Sequence, residues 1–387
     1  MNLALKDTLH APTRFALTAF GVAFLIMAVI GMIGLYRGIV EDALLIIDRI
    51  DADLWVVQGE RAGPFAEGSA VAADMDRRVE GVPGVADVRR FTQFSQQFNF
   101  AGVARRVTVT GVDVPRDDGR WLSLTEGCWL AGRRYEAVAD ASTGLKVGDR
   151  IQLARDTYTV VGLTRYMVDS AGDGLLFVGI NDAAVIARRR TSEEIHLARA
   201  GRADAAAVSA DASSVAQESK IAAVLVRLNP AADAGQVIAA FRRWGDVEVL
   251  TTAEQRHLML NARLWKLRLQ ILSFTGMILV ITAIVVSLIV YTMTLEKLHE
   301  IALLKLMGAR ERVVIALIGQ QAAFIGIAGY VFALVLSVLV FPLFPRRVVM
   351  LPSDLGQIAL ALALVCAVAA FVGIARASQV GAREVLS

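Results

Sequence analysis

The residues best suited to chemistry lie in one short charged segment, Leu295–Arg312. His299 and Glu300 begin like the H-E-x-x-H signature of zinc proteases, but Leu303 stands where the second histidine ligand would be. The other histidines are scattered, and no Ser-His-Asp set or carboxylate pair stands out by spacing. No G-x-x-x-x-G-K-[ST] phosphate loop occurs. The sequence therefore predicts that this chain has no catalytic site and does not itself hydrolyse ATP.

Four uncharged apolar runs must position that segment. They lack Asp, Glu, Lys, Arg and His, and they span Phe15–Tyr36, Leu269–Leu295, Val313–Pro345 and Leu355–Ala375. Each reaches the roughly 20 residues that a helix needs to cross about 30 Å of hydrocarbon. With 56% hydrophobic and 20% charged residues, the composition is that of a membrane protein with a sizeable polar domain. We therefore predict four transmembrane helices.

Basic residues predict the orientation of these helices. The two tails and the loop between spans two and three carry eight Lys or Arg residues, whereas the loop between spans three and four carries only Arg346 and Arg347. The positive-inside rule therefore places both termini in the cytoplasm. Basic residues flanking the long loop between spans one and two nearly cancel this bias, but long loops follow the rule poorly.

The long loop, residues 37–268, has the pattern of a mixed α/β domain. Strands are predicted at Leu54–Gln58, Val85–Phe100, Arg105–Val112, Arg150–Leu153, Tyr158–Leu163, Leu175–Ile180, Ile221–Leu228 and Val247–Leu250. Helices are predicted at Asp74–Glu80 and Ala231–Trp244. Glu41–Ile50 and Gln255–Leu267 are predicted to be helical stalks that run directly into the first and second spans. The Ala-rich segment 198–220 gives no fold prediction.

The spans themselves argue against one class of transporter. Proton- and ion-driven carriers bury acids, His or Arg in their spans, because these groups carry the coupled charge. The four runs contain no such residue, and no Gly/Pro pair breaks two of them symmetrically as in inverted-repeat carriers. The energy for any transport must therefore come from another chain.

Net charge and cysteine content exclude other features. A net charge of +3 that is mostly juxtamembrane does not suggest a nucleic-acid partner. Cys128 lies in the long loop and Cys366 in the fourth span, so we expect them in different compartments and unable to form a disulfide. We predict no metal and no cofactor on this chain.

The segment between spans two and three admits two interpretations. Its apolar residues are interspersed with charged ones, and Gly308 is well placed to end a helix. One interpretation is an interfacial helix whose lysines reach toward the lipid headgroups. The other is a helix on which a cytoplasmic motor pushes. The residues alone fit both equally.

The same segment resembles the charged loop of the MacB/FtsX-type ABC transporter permeases. That loop typically has an acidic-Lys/Arg pair and then Glu-Ile-x-x-Leu-Lys-x-x-Gly-Ala. The matching residues are Glu296, Lys297, Glu300, Ile301, Leu304, Lys305, Gly308 and Ala309. The order of one span, a large domain and three spans is similar along the full length, and the domain resembles the DevC-like branch.

The resemblance implies a permease subunit that forms a homodimer and pairs with a separate cytoplasmic ATPase, which binds ATP and Mg. It implies that the segment is a coupling helix seated in a groove of that ATPase. The predicted coupling residues are Glu296, Lys297, Glu300, Ile301, Leu303, Leu304, Lys305, Met307, Gly308 and Ala309. It also implies the bacterial inner membrane as the location, with the large domain in the periplasm.

The predicted fold class is an α-helical membrane protein with four transmembrane helices and a large mixed α/β extracytoplasmic domain between helices 1 and 2. The predicted segments are a cytoplasmic N-terminal segment (1–14), span one (15–36), the periplasmic domain with its stalks (37–268), span two (269–295), the coupling helix (296–312), span three (313–341), a short periplasmic loop (342–354), span four (355–375) and a cytoplasmic tail (376–387).

Six residues within the spans are predicted to serve dimer or helix packing. They are Gly31, Gly34, Gln320, Gln321, Gly326 and Gly329. Small residues let helices approach closely, and each glutamine is expected to make interhelical hydrogen bonds of about 0.6 kcal/mol.

Three functions remain open. The first is export or extraction of an amphiphile (lipid, glycolipid, lipopeptide or drug), handed to a periplasmic adaptor. The second is a signal relay without transport that controls a periplasmic partner such as a cell-wall hydrolase. The third is a surface receptor without an ATPase.

Overall fold

The computed structural model describes residues 12–189, 220–296, 311–344 and 346–379. The chain divides into two units: residues 39–265 form one, and the helices that precede and follow them form the other. The Ala-rich segment up to residue 219 lies outside the described residues.

The described helices and strands follow one another in this order. The helices are α1 (Pro12–Arg49), α2 (Met75–Glu80), α3 (residues 180–189), α4 (Ala234–Arg242), α5 (Thr252–Leu258), α6 (Trp265–Glu296), α7 (Glu311–Val340) and α8 (Pro352–Gln379). The strands are β1 (Leu54–Gln58), β2 (Val71–Ala72), β3 (Val85–Phe100), β4 (Val103–Val112), β5 (Leu124–Gly127), β6 (Glu136–Asp140), β7 (Arg150–Leu153), β8 (Asp156–Thr164), β9 (Gly174–Gly179), β10 (Lys220–Ile221), β11 (Ala223–Leu228) and β12 (Val247–Thr251).

Helices α1, α6, α7 and α8 are long and apolar enough to cross a membrane, which confirms the predicted four spans. Several hydroxyl side chains of these helices bond to their own backbone, which suits a hydrocarbon environment. Thr282 Oγ1 and Thr294 Oγ1 each donate to the carbonyl four residues earlier at 2.7 Å, and Ser337 Oγ does the same to Ala333. All four helices contribute to one apolar cluster, to which Val22, Val286, Ile325 and Leu362 belong.

Residues 39–265 are built on a ten-stranded mixed sheet. Its order is β12-β1-β11-β3-β4-β9-β6-β8-β5, and β7 pairs with β8 beside this path. The pairs β4–β9 and β6–β8 are parallel, and the other pairs are antiparallel. The central strands are buried on both faces, as in β9, where Leu175, Leu176, Phe177 and Val178 are all fully buried.

Both faces of this sheet are covered by apolar clusters. On one side Val79 of α2 and Phe241 of α4 pack with Val56 and Val224. Another cluster joins Leu45, Ile46 and Ile50 at the end of α1 to Trp55, Phe91 and Phe177 of the sheet. The end of α1 is therefore part of the domain core.

The eight predicted strands are confirmed, with β1, β3 and β7 at the predicted bounds. The stalk after the domain differs from its prediction. Instead of one helix running directly into span two, α5 ends at Leu258, a π-helical turn covers Met259–Arg263, and α6 begins at Trp265 after a break at Leu264. The residues from Gln255 to Leu267 are all compatible with an α-helix, so the sequence does not reveal the π-helical turn.

Candidate functional site

The predicted ATPase contact lies between α6 and α7. Of its ten residues, Glu296 is the exposed last residue of α6. The other nine fall within residues 297–309, outside the described part of the chain, and α7 begins at Glu311. The coupling helix therefore stays a prediction.

The predicted packing glycines of α7 lie at close helix approaches. A β-carbon at Gly329 would lie 2.9 Å from Val22 Cγ1 of α1, and one at Gly326 would lie 2.6 Å from Cys366 Sγ of α8. Both distances are shorter than ordinary β-carbon contacts, so a side chain at either position would displace its neighbour.

The other packing residues differ in their surroundings. Gln321 is buried and Gln320 is exposed. A β-carbon at Gly31 would lie 3.2 Å from the Phe341 ring, and Gly34 faces residues of the loop between spans three and four. All these contacts lie within one copy of the chain, and a role in a dimer stays a prediction.

An ion pair that the sequence analysis did not single out joins α1 to the start of α8. Arg37 Nη2 donates to Asp354 Oδ1 at 2.6 Å, and Arg37 Nε donates to Asp354 Oδ2. The Asp354 side chain is 8% exposed and lies in the first turn of α8. A carboxylate is favourable there, because the helix N-terminus carries partial positive charge. The only signals in the sequence were that Arg37 directly follows the first apolar run and that Asp354 directly precedes the fourth.

The chain enters and leaves residues 39–265 through a hydrogen-bonded junction, the domain root, formed by Asp48, Ala52, Asp53, Thr252 and Arg256. Thr252 N donates to Asp53 O at 3.2 Å, and Thr252 Oγ1 donates to Ala52 O. Arg256 Nη1 contacts the two carboxylate oxygens of Asp48 at 3.1 and 3.2 Å. The end of α1 is thus tied directly to α5.

A second set of bonds ties the end of α1 to the sheet. Arg89 of β3 donates from Nη2 to Ile50 O and to Asp51 O, both at 2.6 Å. Its Nη1 contacts Asp117 Oδ2 at 3.4 Å. The Arg89 side chain is 9% exposed and that of Asp117 is 2% exposed. A cation at the carboxyl end of a helix is favourable, because the last carbonyls carry partial negative charge.

Burial raises the pKa of the Asp117 carboxyl above its ordinary value. The hydrogen bond from Trp121 Nε1, the backbone N–H of Gly119 and the nearby Arg89 oppose that shift, without cancelling it. The indole of Trp129 also donates to the Asp117 carbonyl, at 3.1 Å. Asp117 therefore connects Arg89, which holds the end of α1, to Trp121 and Trp129.

Two of the clefts in the described part of the chain lie outside these contacts. One, of about 700 Å³, lies in the domain and has Glu60, Glu67, Glu248 and His257 on its walls. The other, of about 440 Å³, lies between α7 and α8 and is lined mostly by glycine and alanine. The described residues contain no cluster of three or more His, Cys, Asp or Glu placed to hold a metal ion.

Comparison with known proteins identifies the family. The model of the MacB-like periplasmic core domain matches residues 15–244, more than half of the chain. The FtsX-like permease C-terminal model matches residues 272–382. The chain belongs to the MacB/FtsX-type family of ABC transporter permeases.

Relatives support the same family. The permease is 23% identical over 363 residues to an uncharacterized ABC transporter permease of Mycobacterium tuberculosis, with 89% of this chain and 87% of the relative covered. A second uncharacterized ABC transporter permease of Mycobacterium tuberculosis is 24% identical over 348 residues, with the same coverage.

Two solved domains were also compared. The periplasmic region of MacB from Actinobacillus actinomycetemcomitans aligns with a TM-score of 0.38 and 9% identity, covering 54% of this chain and 93% of that one. The extracellular domain of the noncanonic ABC-type transporter YknZ from Gram-positive bacteria aligns with a TM-score of 0.32 and 14% identity, covering 52% and 99%.

Family membership establishes the general role of the permease. It is a transporter component with four membrane helices and a periplasmic α/β domain, and it fits a multi-pass protein of the inner membrane. An ABC transporter permease implies a cytoplasmic ATPase partner. The predicted family, fold class and location are confirmed.

Proposed function

We propose that this permease converts ATP hydrolysis on a separate ATPase into movement of its periplasmic domain and thereby exports or extracts an amphiphile. The observation that carries the proposal is the domain root. Helix α1 continues unbroken from Pro12 to Arg49, and its end bonds both to α5 and, through Arg89, to the sheet. These bonds give a displacement of α1 a route into the domain.

The ATPase side of the proposal rests on the segment from Glu296 to Ala309. Its match to the family's charged loop supports a contact between Glu300, Leu304 and their neighbours and the ATPase, which would bind ATP and Mg. Two copies of the permease would form the homodimer that receives two ATPase subunits.

An amphiphilic substrate is supported by the cleft between α7 and α8. Its walls include Gly319, Ala323, Ala363 and Ala367, and they carry no Asp, Glu, Lys, Arg or His. Such a surface suits a hydrocarbon chain and offers nothing to a charged solute. The substrate class is therefore a molecule with at least one apolar chain.

An exposed sheet edge favours a protein partner for the domain. Strand β5 ends the sheet, pairs only with β8 among the described strands, and is exposed at all four residues. Such edges accept an added strand from another chain. A protein partner suits export through an adaptor, and it equally suits the alternative, a relay that controls a periplasmic enzyme such as a cell-wall hydrolase.

The test is ATP hydrolysis by the purified complex of permease and ATPase in lipid nanodiscs. Leu304→Asp and Glu300→Lys should reduce hydrolysis to the level of the ATPase alone while the permease stays in the membrane. Val147→Asp is the matched control, since Val147 lies in the periplasmic domain and is already partly exposed. Wild-type hydrolysis by both coupling variants would refute the coupling helix. Deletion of the permease then separates the two functions, because export predicts a retained lipid or drug and the relay predicts a cell-wall defect.

A further inference from the structure

The section of α1 from Gly34 to Gly38 and the start of α8 are held together by more than the Arg37–Asp354 ion pair. The segment 346–351, which leads into α8, lies directly on α1. Val349 N donates to Gly34 O at 3.0 Å, a bond between a loop and the side of a helix. Asp354 then opens α8, and its two carboxylate oxygens both accept from Arg37.

Two glycines of α1 make this approach possible. A β-carbon at Gly34 would lie 2.6 Å from Val348 Cγ1 and 3.1 Å from Val349 O, and one at Gly38 would overlap the carbonyl oxygen of Arg347. The two positions are four residues apart and so lie on one face of the helix. Glycine weakens a helix relative to alanine, and here it gives the loop direct access to the helix backbone.

We propose that these contacts form an outer clamp that stays closed through the ATP cycle and makes α1 and α8 move as one body. The clamp consists of Arg37, Asp354 and the segment 346–351 seated on Gly34 and Gly38. This inference rests on the proposed function, because it supplies the step by which a push on the segment between α6 and α7, passed to α8 through the packing of α7 on α8, is delivered to α1. Arg37 and Asp354 are thereby positioning residues for the coupling of ATP hydrolysis to domain movement.

Three features favour a closed clamp. The Asp354 carboxylate is nearly buried, and separating it from Arg37 would leave a charge without its partner at the edge of the membrane. Two parallel hydrogen bonds fix the relative orientation as well as the distance of the partners. The backbone bond from Val349 would be broken in the same movement.

The test uses the full complex with its ATPase in nanodiscs and two measurements. The first is ATP hydrolysis. The second is the ATP-dependent change in hydrogen–deuterium exchange of residues 39–265. In Asp354→Asn and in Gly38→Ala, hydrolysis should continue while the ATP-dependent exchange change is lost. Gly21→Ala, on the same helix with open space at its β-carbon, should keep both.

A covalent clamp provides the decisive variant. Val348→Cys removes the Cγ1 methyl that a β-carbon at residue 34 would overlap, so Gly34→Cys with Val348→Cys should form a disulfide between the two positions. The disulfide should preserve the ATP-dependent exchange change, and it should restore that change in Asp354→Asn. The cysteine pair can also be made in a chain that keeps Asp354. The clamp is then tested even if Asp354→Asn does not fold.

The outcomes separate the clamp from the proposed function. An exchange change that persists in Asp354→Asn and Gly38→Ala would overturn the clamp. A disulfide that abolishes the change would also overturn it, since the contact would then have to open. A wild-type complex without an ATP-dependent exchange change would refute the proposed function, and the clamp with it.

Discussion

Replacing Arg89 by methionine removes the guanidinium that joins α1 to the sheet but keeps an unbranched side chain of similar length. Asp117 then remains buried without its 3.4 Å partner, and the carbonyls of Ile50 and Asp51 lose their 2.6 Å donors. The variant therefore tests whether this buried pair anchors the helix.

The magnitude follows from the distances and the burial. Two unit charges 3.4 Å apart attract by about 5 kcal/mol at an effective dielectric constant of about 20. Desolvation of Asp117 outweighs this attraction, since the pKa of its carboxyl is raised, but removal of one partner of a buried pair still typically costs about 3–5 kcal/mol because the other charge is left unpaired. We expect Arg89→Met to lower the free energy of unfolding of the domain by about 4 kcal/mol. Asp117→Asn should cost less, about 2 kcal/mol, because the buried Arg89 loses its counter-ion while an acceptor for Trp121 is kept.

The double variant decides whether the pair acts as a unit. With both charges gone, neither is left buried alone, so Arg89→Met with Asp117→Asn should be about 2 kcal/mol more stable than the sum of the single effects predicts.

Denaturant titration of the full chain in detergent, followed by tryptophan fluorescence, measures these free energies. Four of the five tryptophans lie in the domain and Trp265 is the first residue of α6, so the signal reports mainly the domain. Arg120→Met is the control, because Arg120 pairs with Asp118 at the surface and is 89% exposed. If the destabilisation of the double variant equals the sum of the two single effects to within about 0.5 kcal/mol, Arg89 and Asp117 do not act as a pair.

Three further predictions concern single sites. Tyr158→Phe should raise the free energy of unfolding by about 1 kcal/mol, because the fully buried Tyr158 hydroxyl has no hydrogen-bond partner among the described residues; a loss of stability in the same titration would show that it has one. Burial raises the pKa of Asp117 above 3.8, so the folded chain binds this proton more tightly than the unfolded chain. The free energy of unfolding should therefore increase as the pH falls through the raised pKa, and this gain should level off below pH 3.8. Unfolding titrations across that range should show this gain in the wild type and not in Asp117→Asn, and parallel curves would contradict it. Gly329→Val should weaken the packing of α7 on Val22 and lower the thermal stability of the chain in detergent, whereas Gly276→Val, with open space at its β-carbon, should not; equal melting temperatures would refute the close approach.

Alternation of apolar and polar residues predicted the long strands well. In β3 and β8, buried apolar side chains recur along the strand, because at least one face of each strand packs against a core. Strand β5 was missed, since all four of its residues are exposed and no alternation marks it. Strand β6 was missed as well, because a five-residue run beginning at Glu136 is too short to distinguish from a loop.

The contacts that now define the candidate site were not predictable in the same way. Arg37 and Asp354 are 317 positions apart in the chain. Arg89 and Asp117 are 28 positions apart and lie in different elements of the domain. A charged residue near a span or in a strand has many possible partners, and sequence alone does not rank them. The signal that Asp354 gave was its position in the first turn of a span helix, which suits an acid but names no partner.

By itself, the sequence determined the class of this protein, its four spans, the inserted α/β domain and the charged loop that identifies the family. Those features depend on local properties, namely the length of apolar runs, the period of side chains along a strand and the order of residues in a motif. Only the tertiary structure decided which charges are buried together, which glycines are needed for space and where the end of α1 is anchored. Those outcomes depend on distances between residues far apart in the chain, and such distances are set by the packing of the whole fold.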